Sequence, residues 1–231
     1  LRLAQWNSGK MHNAIPRDGK IVFAVPADKK EEVKADWNVF AAQVEDEYHV
    51  TDTNMKWSLE SCEAQTVMPE KVSANLINAL QAVDNGVFAM CQDKELAWMV
   101  ETSSNVASVQ SEDDKVVIVS SQRSNVTSNL TNICNTVKAT YELAGADVEQ
   151  TDGYPAWQPK HGSELQRIVK EAYHKLFGKD PVVRGIHAGL ECGLFSEKYP
   201  NLDMVSFGPT LRNVHTPDEC LYIPTVQMVW D

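Results

Sequence analysis

Residues 186–195 read Ile-His-Ala-Gly-Leu-Glu-Cys-Gly-Leu-Phe, and two related segments follow: Asp-Met-Val-Ser-Phe-Gly-Pro at 203–209 and His-Thr-Pro-Asp-Glu at 215–219. Residues 182–186 predict a strand that runs into a glycine-bearing turn, where a ligand can approach the backbone because glycine has no Cβ. Residues 203–207 predict a second strand, which Gly-Pro ends. Strand ends that lead into loops with His, Glu and Gly are where α/β enzymes place their chemistry. The stretch therefore predicts an α/β fold with a site at its strand ends.

An amphipathic helix precedes this stretch. Ser163 predicts its start as an N-cap, with Gln166 in the capping-box position, and Gly178 predicts its end. A further helix begins near Ile223. The alternation of helix, strand, loop, strand and helix indicates part of a layered α/β domain, although it is too short to be a whole one.

The first 152 residues carry two similar series of elements. The first series is predicted as strands over 1–6 and 21–25, a helix from about Asp28 and a strand over 55–60. The second is predicted as a helix opened by Pro69, strands over 97–101, 105–109 and 115–119, and a helix from about Ser128 to Gly145. We interpret the repeated order as an internal duplication with halves at about 1–65 and 66–152. The alternative, an α+β chain that shows this order by chance, stays open.

Charge and cysteine usage exclude several classes of partner. The net charge of −11 argues against a nucleic-acid partner, which requires a basic surface. No apolar run approaches the roughly 20 residues that span a membrane. The five cysteines are scattered and include no Cys-x-x-Cys pair, so they predict reduced thiols in a cytoplasmic protein.

Five motifs, in this order and spacing, resemble the aminoacyl-histidine dipeptidases, or Xaa-His dipeptidases. This family belongs with the two-zinc peptidases that include carboxypeptidase G, aminoacylase and carnosinase. The motifs are Asn-Ala-Ile-Pro-Arg at 13–17, Gly-Tyr-Pro-Ala-Trp-Gln-Pro at 153–159, His-Ala-Gly-Leu-Glu-Cys-Gly-Leu-Phe at 187–195, Tyr-Pro-Asn-Leu-Asp-Met-Val-Ser-Phe-Gly-Pro-Thr at 199–210, and His-Thr-Pro-Asp-Glu at 215–219. The resemblance therefore runs nearly end to end.

The resemblance implies a domain organisation and a reaction. Residues 1–152 resemble a lid domain made of two similar α/β halves, and residues 153–231 resemble the C-terminal part of a catalytic domain. The implied reaction is hydrolysis of Xaa-His dipeptides by metal-activated water under a closing lid, with two zinc ions or other divalent metals. A homodimer is compatible with the family. Since the family's catalytic glutamate and most zinc ligands lie upstream of Leu1, we expect a fragment that is inactive alone and has no catalytic residue of its own.

His215 is the candidate metal ligand. Pro217 fixes its loop, and Glu219 could orient the second ring nitrogen, as carboxylates do beside metal-bound histidines. A lone loop histidine is by itself more often a solvated surface residue, and the chain contains no His-x-x-x-His pair. The resemblance implies the ligand, because the family's last zinc ligand is the histidine of the matching motif.

Four residues are candidates for substrate binding: Asn13, Arg123, His187 and Glu191. The resemblance implies that Asn13 reaches the substrate from the lid and that His187 and Glu191 line the cleft. It also implies that Arg123 pairs with a substrate carboxylate, for which the guanidinium fork is suited. The alternatives are a turn-forming asparagine, a solvated arginine and a loop whose polar groups satisfy only its own backbone.

Three further interpretations stay open at this point. Asn105 is the partner of Asn13 in the repeat, and Cys192 could be a nucleophile beside His187, although a small buried thiol is the more common case. The competing function is a non-catalytic α/β module for dimerisation or small-peptide binding. An upstream segment with a His-x-Asp strand end and a Glu-Glu pair would favour the peptidase.

Overall fold

The structure, a computed structural model, describes residues 1–92, 94, 96–151, 153, 155, 157, 162–185, 190–214 and 218–231. Helices and strands are mixed along the chain, which confirms the predicted α/β class. The elements are β1 (Arg2–Ser8), β2 (Gly19–Ala24), α1 (Lys30–Tyr48), α2 (Glu70–Ala82), β3 (Gly86–Met90), β4 (Val100–Ser111), β5 (Val116–Ser124), α3 (Thr127–Leu143), α4 (Glu164–Phe177), α5 (Glu191–Lys198), β6 (Leu211–Arg212), β7 (Cys220–Leu221) and α6 (Val226–Trp230).

Strand β4 is the centre of the larger sheet. The strand order is β2-β1-β4-β3, and β5 also pairs with β4. Strands β1 and β2 form an antiparallel pair, whose register shifts between Leu3 and Gln5. Strand β1 runs antiparallel to β4 through Asn7 opposite Gln110 and Ser8 opposite Val109. Because β4 is 12 residues long, it can pair with three other strands along its length.

Side chains strengthen the short junction between β1 and β4. The backbone N–H of Trp6 donates to Ser111 Oγ at 2.8 Å, and the backbone N–H of Ser111 donates to Asn7 Oδ1 at 3.0 Å. Gln110 Nε2 donates to the carbonyls of Ser8 and Gly9 at 3.1 and 2.7 Å. These polar side chains satisfy backbone groups beyond the two paired positions, as buried backbone groups require.

Gly9 ends β1 at a position where only glycine fits. Its φ is +69°, in the left-handed region that disfavours a Cβ. A Cβ at this residue would also overlap the carbonyl oxygen of Ala107 in β4. The chain therefore turns out of β1 while its backbone touches the neighbouring strand.

The chain divides into two compact units. The first comprises 1–86, 104–122 and 133–150, and the second comprises 87–103, 123–132 and 151–231. The first unit has a core in which α2 and α3 supply the buried residues and partly buried apolar side chains pack against them. The buried residues are Ala79, Val83, Val137 and Tyr141, and the partly buried ones are Val106, Ile118, Ala144 and Val148.

The order of strand, strand and helix occurs twice, as β1-β2-α1 and as β4-β5-α3. The sequence predicts two halves within residues 1–152 and a domain boundary after residue 152. The two compact units do not follow these divisions, because each unit contains parts of β4, β5 and α3. The duplication and the division into a lid at 1–152 and a catalytic part at 153–231 stay predictions.

In the second unit, α4 has the termini that the sequence predicts. Ser163 Oγ accepts a hydrogen bond from the backbone N–H of Gln166 at 3.0 Å, and Gly178 ends the helix with a φ of +66°. Asp203 extends the cap, since its carboxylate accepts from Ser163 Oγ at 2.7 Å and from the backbone N–H of Leu165 at 3.0 Å. Two of the backbone N–H donors that the helix N-terminus exposes, those of Leu165 and Gln166, are thus satisfied by the linked side chains of Asp203 and Ser163.

Three predicted strands are wrong within the described residues. Residues 55–60, 182–185 and 203–207 form no strand. An extended segment becomes a strand only where a neighbour takes up its backbone hydrogen bonds, and apolar β-branched composition alone does not supply one. Trp57 instead packs its ring 6.0 Å from that of Trp37 and 6.2 Å from that of Phe40 in α1.

Two other predictions require correction. Instead of the two strands predicted at 97–101 and 105–109 there is one strand, β4, which begins at Val100, so residues 97–99 are not part of it. Ser104, within β4, is buried and accepts a hydrogen bond from Gln122 Nε2 at 3.1 Å. Strand β3 was not predicted, because Asn85 and Gly86 indicate a turn and the apolar run after them is short.

Replacing Gly9 with alanine is expected to lower the thermal unfolding midpoint much more than replacing Gly178. Both residues have similar φ values, +69° and +66°, so the strain of a left-handed alanine, about 1–2 kcal/mol, is common to the two variants. Only at Gly9 does the Cβ overlap backbone, whereas at Gly178 it meets nothing within 4 Å. Overpacking adds a further cost of about 1–3 kcal/mol at Gly9. Calorimetry that gives equal shifts for the two variants would contradict the close approach.

Candidate functional site

Asn13 lies at the tip of the loop that joins β1 to β2, in the first unit. The backbone N–H of Gly9 donates to the carbonyl of Asp18 at 3.2 Å and closes the base of the loop, while that of Ala14 donates to the carbonyl of Met11 at 3.3 Å. Asn13 itself is exposed. Its amide is therefore accessible to a ligand on a loop whose two ends are fixed.

Arg123 lies near the end of β5, in the second unit, and is half-buried. The residues around its strand end are held by polar contacts. Ser124 Oγ is 2.9 Å from Thr102 Oγ1 in β4, and the backbone N–H of Asn125 donates to the carbonyl of Glu101 at 3.2 Å. Position 123 is thus on a braced strand, which suits a residue that must present a planar guanidinium in a fixed orientation.

Glu101 is a buried carboxylate in the same unit. No pattern in the sequence predicts its burial. It is 6% exposed, and Oε1 accepts hydrogen bonds from Asn129 Nδ2 at 2.6 Å and Thr102 Oγ1 at 3.3 Å. Glutamate is rarely buried without hydrogen-bond partners, so these donors are needed to keep it there. The contacts link the start of α3 to β4 close to the strand that carries Arg123.

A second buried polar group lies in this cluster. Asn125 Nδ2 donates to the thiol sulfur of Cys91 at 3.4 Å. Asn125 Oδ1 is buried and has no hydrogen-bond partner among the described residues. A buried acceptor without a partner has a desolvation cost. The contact of Asn125 Nδ2 with Cys91 and the packing of the surrounding strands therefore have to offset that cost.

Glu191 is the first residue of α5, in the second unit, and is exposed. The sequence predicts a loop between His187 and Glu191 because Gly189 disfavours a helix, and residues 187–189 of that loop lie outside the described residues. The helix α5 begins at Glu191, where an acidic side chain interacts favourably with the helix dipole. Gly193 is tolerated in the helix because it is buried against Pro155, whose carbonyl oxygen lies 2.5 Å from where a Cβ would be. Cys192 is half-buried in the first turn of α5.

His187 and His215 lie outside the described residues. In sequence, His215 falls between β6 and β7, which pair antiparallel through Leu211 opposite Leu221 and Arg212 opposite Cys220. The roles of both histidines stay predictions, as do those of Asn13, Arg123 and Glu191. The first unit contains Asn13, and the second contains Arg123 and Glu191.

The described residues do not form a metal site by themselves. Among them, no group of three or more His, Cys, Asp or Glu side chains could hold a metal ion. All five cysteines are described and carry free thiols, and burial raises the pKa of Cys134. In the same part of the chain, no helix is both long and apolar enough to cross a membrane.

Comparison with known proteins places the chain in a family. The model of peptidase family M20/M25/M40 matches residues 16–228. The chain belongs to this peptidase family. The match includes the second unit's α4 and α5 and nearly all of the first unit, so membership does not depend on any one motif.

Two relatives share the whole length of the chain. It is 37% identical over 232 aligned positions to the cytosol non-specific dipeptidase of Escherichia coli, which covers 100% of the chain and 47% of the relative. The crystal structure of aminoacylhistidine dipeptidase from Vibrio alginolyticus has a TM-score of 0.87 at 37% identity, again over 100% of the chain and 47% of that protein. The resemblance to aminoacyl-histidine dipeptidases is thereby confirmed. The chain spans about half the length of these relatives.

Replacing Asn129 with aspartate is expected to destabilise the protein strongly at neutral pH and less at acidic pH. The new carboxylate would stand where an amide now donates to Glu101 at 2.6 Å, and two adjacent carboxylates raise the pKa of the pair. A carboxyl whose folded-state pKa is raised destabilises the fold above its unfolded-state pKa, and the penalty disappears as the pH falls below that value.

Asn129→Leu is the matched control, because it removes the donor without adding a charge. It should cost about 1–3 kcal/mol for the unsatisfied acceptor. Its deficit should be smaller than that of the aspartate variant at pH 7 and change less between pH 7 and pH 4 in thermal unfolding. Equal deficits at all pH values would contradict the contact between residues 101 and 129.

Proposed function

We propose that this chain is part of a cytoplasmic zinc metallopeptidase that hydrolyses Xaa-His dipeptides. The observation that supports the proposal most strongly is the 37% identity, over the entire chain, to one protein named a cytosol non-specific dipeptidase and another named an aminoacylhistidine dipeptidase. The cellular location follows the first of these names. The free thiols of all five cysteines fit a reducing compartment.

In this proposal the chain supplies groups that bind the dipeptide. Asn13 presents an exposed amide from the first unit, and Arg123 pairs with the free carboxylate of the substrate from a braced strand. Glu191 is exposed at the start of α5, so its carboxylate is accessible to the substrate. With His187, these residues hold and orient the substrate while the lid excludes water.

M20 family peptidases are typically metal-dependent. We assign zinc as the metal and His215 as one of its ligands, with the remaining ligands and the catalytic base supplied by parts of the protein beyond this chain. A bound zinc ion supplies Lewis-acid polarisation of the scissile carbonyl and lowers the pKa of a water molecule.

Replacing His215 with alanine in the full-length protein is expected to reduce both zinc content and Xaa-His hydrolysis. Loss of a residue that only hydrogen-bonds a metal ligand lowers metal affinity or activity roughly 10–100-fold. Loss of a residue that binds the metal directly should lower them further. His174→Ala is the control, because His174 is exposed on α4 and its ring nitrogen Nδ1 is 2.8 Å from Asp180 Oδ1, a surface contact of little consequence for stability. Metal analysis, dipeptide hydrolysis and circular dichroism are the measurements. Near wild-type turnover and full zinc content in His215→Ala would refute the ligand assignment.

Replacing Arg123 with glutamine is expected to reduce kcat/KM for dipeptides by roughly 10- to 100-fold. This factor corresponds to the loss of one charged hydrogen bond, which contributes about 1.5–3 kcal/mol. The same variant should affect a C-terminally amidated dipeptide little, because that substrate has no carboxylate to pair with the guanidinium. Arg2→Gln is the control, since Arg2 forms an exposed pair with Glu70 at 2.7 Å. Equal losses for the acid and the amide would contradict a carboxylate-binding role.

The competing function is a non-catalytic module for dimerisation or small-peptide binding. Full-length protein that binds Xaa-His dipeptides but hydrolyses none of them in the presence of zinc would favour that module over the peptidase.

A further inference from the structure

The loop that carries Asn13 is fixed at its base by β4. Gln110 Nε2 donates to the carbonyls of Ser8 and Gly9, and the backbone N–H of Gly9 donates to the carbonyl of Asp18. These contacts hold residues 8, 9 and 18 but do not extend to the tip. The position of Asn13 therefore depends on what holds residues 10–17.

One contact attaches the tip to the sheet. Asn105 Nδ2, from β4, donates to the backbone carbonyl of Ala14 at 2.9 Å. Within the described residues, this is the sole hydrogen bond between residues 10–17 and any other element; the bond from Ala14 N–H to Met11 is internal to the loop. Ala14 is next to Asn13 in the chain, so the tether acts one residue from the candidate binding side chain.

The donor is well placed for this task. Asn105 is half-buried in a strand whose neighbours Ser104 and Ala107 are buried at 3% and 0% exposure, so its backbone is held by the sheet. The acceptor belongs to an exposed loop. A donor held by the sheet and an acceptor on an exposed loop form a contact that restrains the loop and leaves the strand unchanged.

We propose that Asn105 is a positioning residue, which holds the Asn13 loop over the substrate by donating its side-chain amide to the carbonyl of Ala14. The inference rests on the proposed function, because Asn13 is the residue through which Asn105 would act. Asn105 touches no substrate itself.

The first test measures the loop without reference to activity. In Asn105→Asp the isosteric carboxylate cannot donate and faces the carbonyl of Ala14. The N–H of Ala14, which donates to Met11 within the loop, should therefore exchange about fivefold faster, the effect of one neutral hydrogen bond. Asn105→Gln retains an amide donor and should restore part of the protection.

Asn75→Asp is the matched control for this measurement. Asn75 Nδ2 donates to the backbone carbonyl of Ala144 at 2.8 Å, a bond of the same chemistry and length in the same unit but on α2. This variant should leave exchange in residues 10–17 unchanged. Unchanged loop exchange in Asn105→Asp, or equal acceleration in both variants, would overturn the proposal.

The second test is a double-mutant cycle on Xaa-His hydrolysis by the full-length protein. Asn13→Ala and Asn105→Asp should each lower kcat/KM, the latter by about fivefold, and the double variant should be no worse than Asn13→Ala alone. If Asn105 acted independently of Asn13, the losses in kcat/KM of the two single variants would add in free energy in the double variant. Additive losses would therefore overturn the positioning role.

The two tests separate the inference from the proposed function. A wild-type protein without dipeptidase activity would overturn the proposed function and, with it, the substrate-positioning role. The exchange measurement would still decide whether Asn105 holds the loop. Faster loop exchange together with non-additive kinetic losses supports both.

Discussion

The close approach of Gly9 to the carbonyl of Ala107 is the constraint on which the first unit depends. No other residue type can occupy that point, since a Cβ would overlap the neighbouring backbone and a φ of +69° would strain it. The approach brings the end of β1 into contact with β4, where Gln110 and Ser111 bind backbone groups of β1. The same turn sends the Asn13 loop out beside β4. Sheet assembly and placement of the loop are therefore consequences of one glycine.

Polar side chains hold much of the central strand in place. β4 buries Glu101, Thr102, Ser104 and Ser108 together with Ala107 and Val109. The buried polar groups find partners in particular side chains, such as Ser124 for Thr102 and Gln122 for Ser104. A buried hydrogen bond contributes little net stability but is costly to break, because the remaining group is left unsatisfied. Such contacts therefore select one register of the strands more than they add to stability.

Two of the groups proposed to bind the substrate, Asn13 and Arg123, differ in how they are held. Arg123 is part of a strand, so its backbone is fixed by the sheet. Asn13 is on a loop, and a single side-chain hydrogen bond attaches the tip of that loop. A contact of this strength can open and close on the timescale of loop motion, whereas a strand residue cannot move independently of its neighbours. The position of Arg123 therefore depends on the sheet, whereas the position of Asn13 depends on the loop and its tether.

The sequence by itself determined the features that depend on local chemistry. The N-cap at Ser163, the left-handed end at Gly178 and the apolar periodicity of α3 were predictable, because capping and helical spacing involve residues a few positions apart. The motifs that resemble the peptidase family were also legible without a structure, and the family model that matches residues 16–228 confirms the family. Asn13 and His215 belong to these motifs, whereas Arg123 was a candidate through the wider resemblance to the family.

Only the tertiary structure decided which extended segments pair and which polar groups are buried. Residues 182–185 and 203–207 have strand-like composition but form no strand among the described residues, because pairing depends on a partner that is distant in sequence. The burial of Glu101 against Asn129 and the tether from Asn105 to Ala14 join residues 28 and 91 positions apart. No local pattern encodes such contacts, since they arise when the packed sheet brings the two segments within hydrogen-bonding distance.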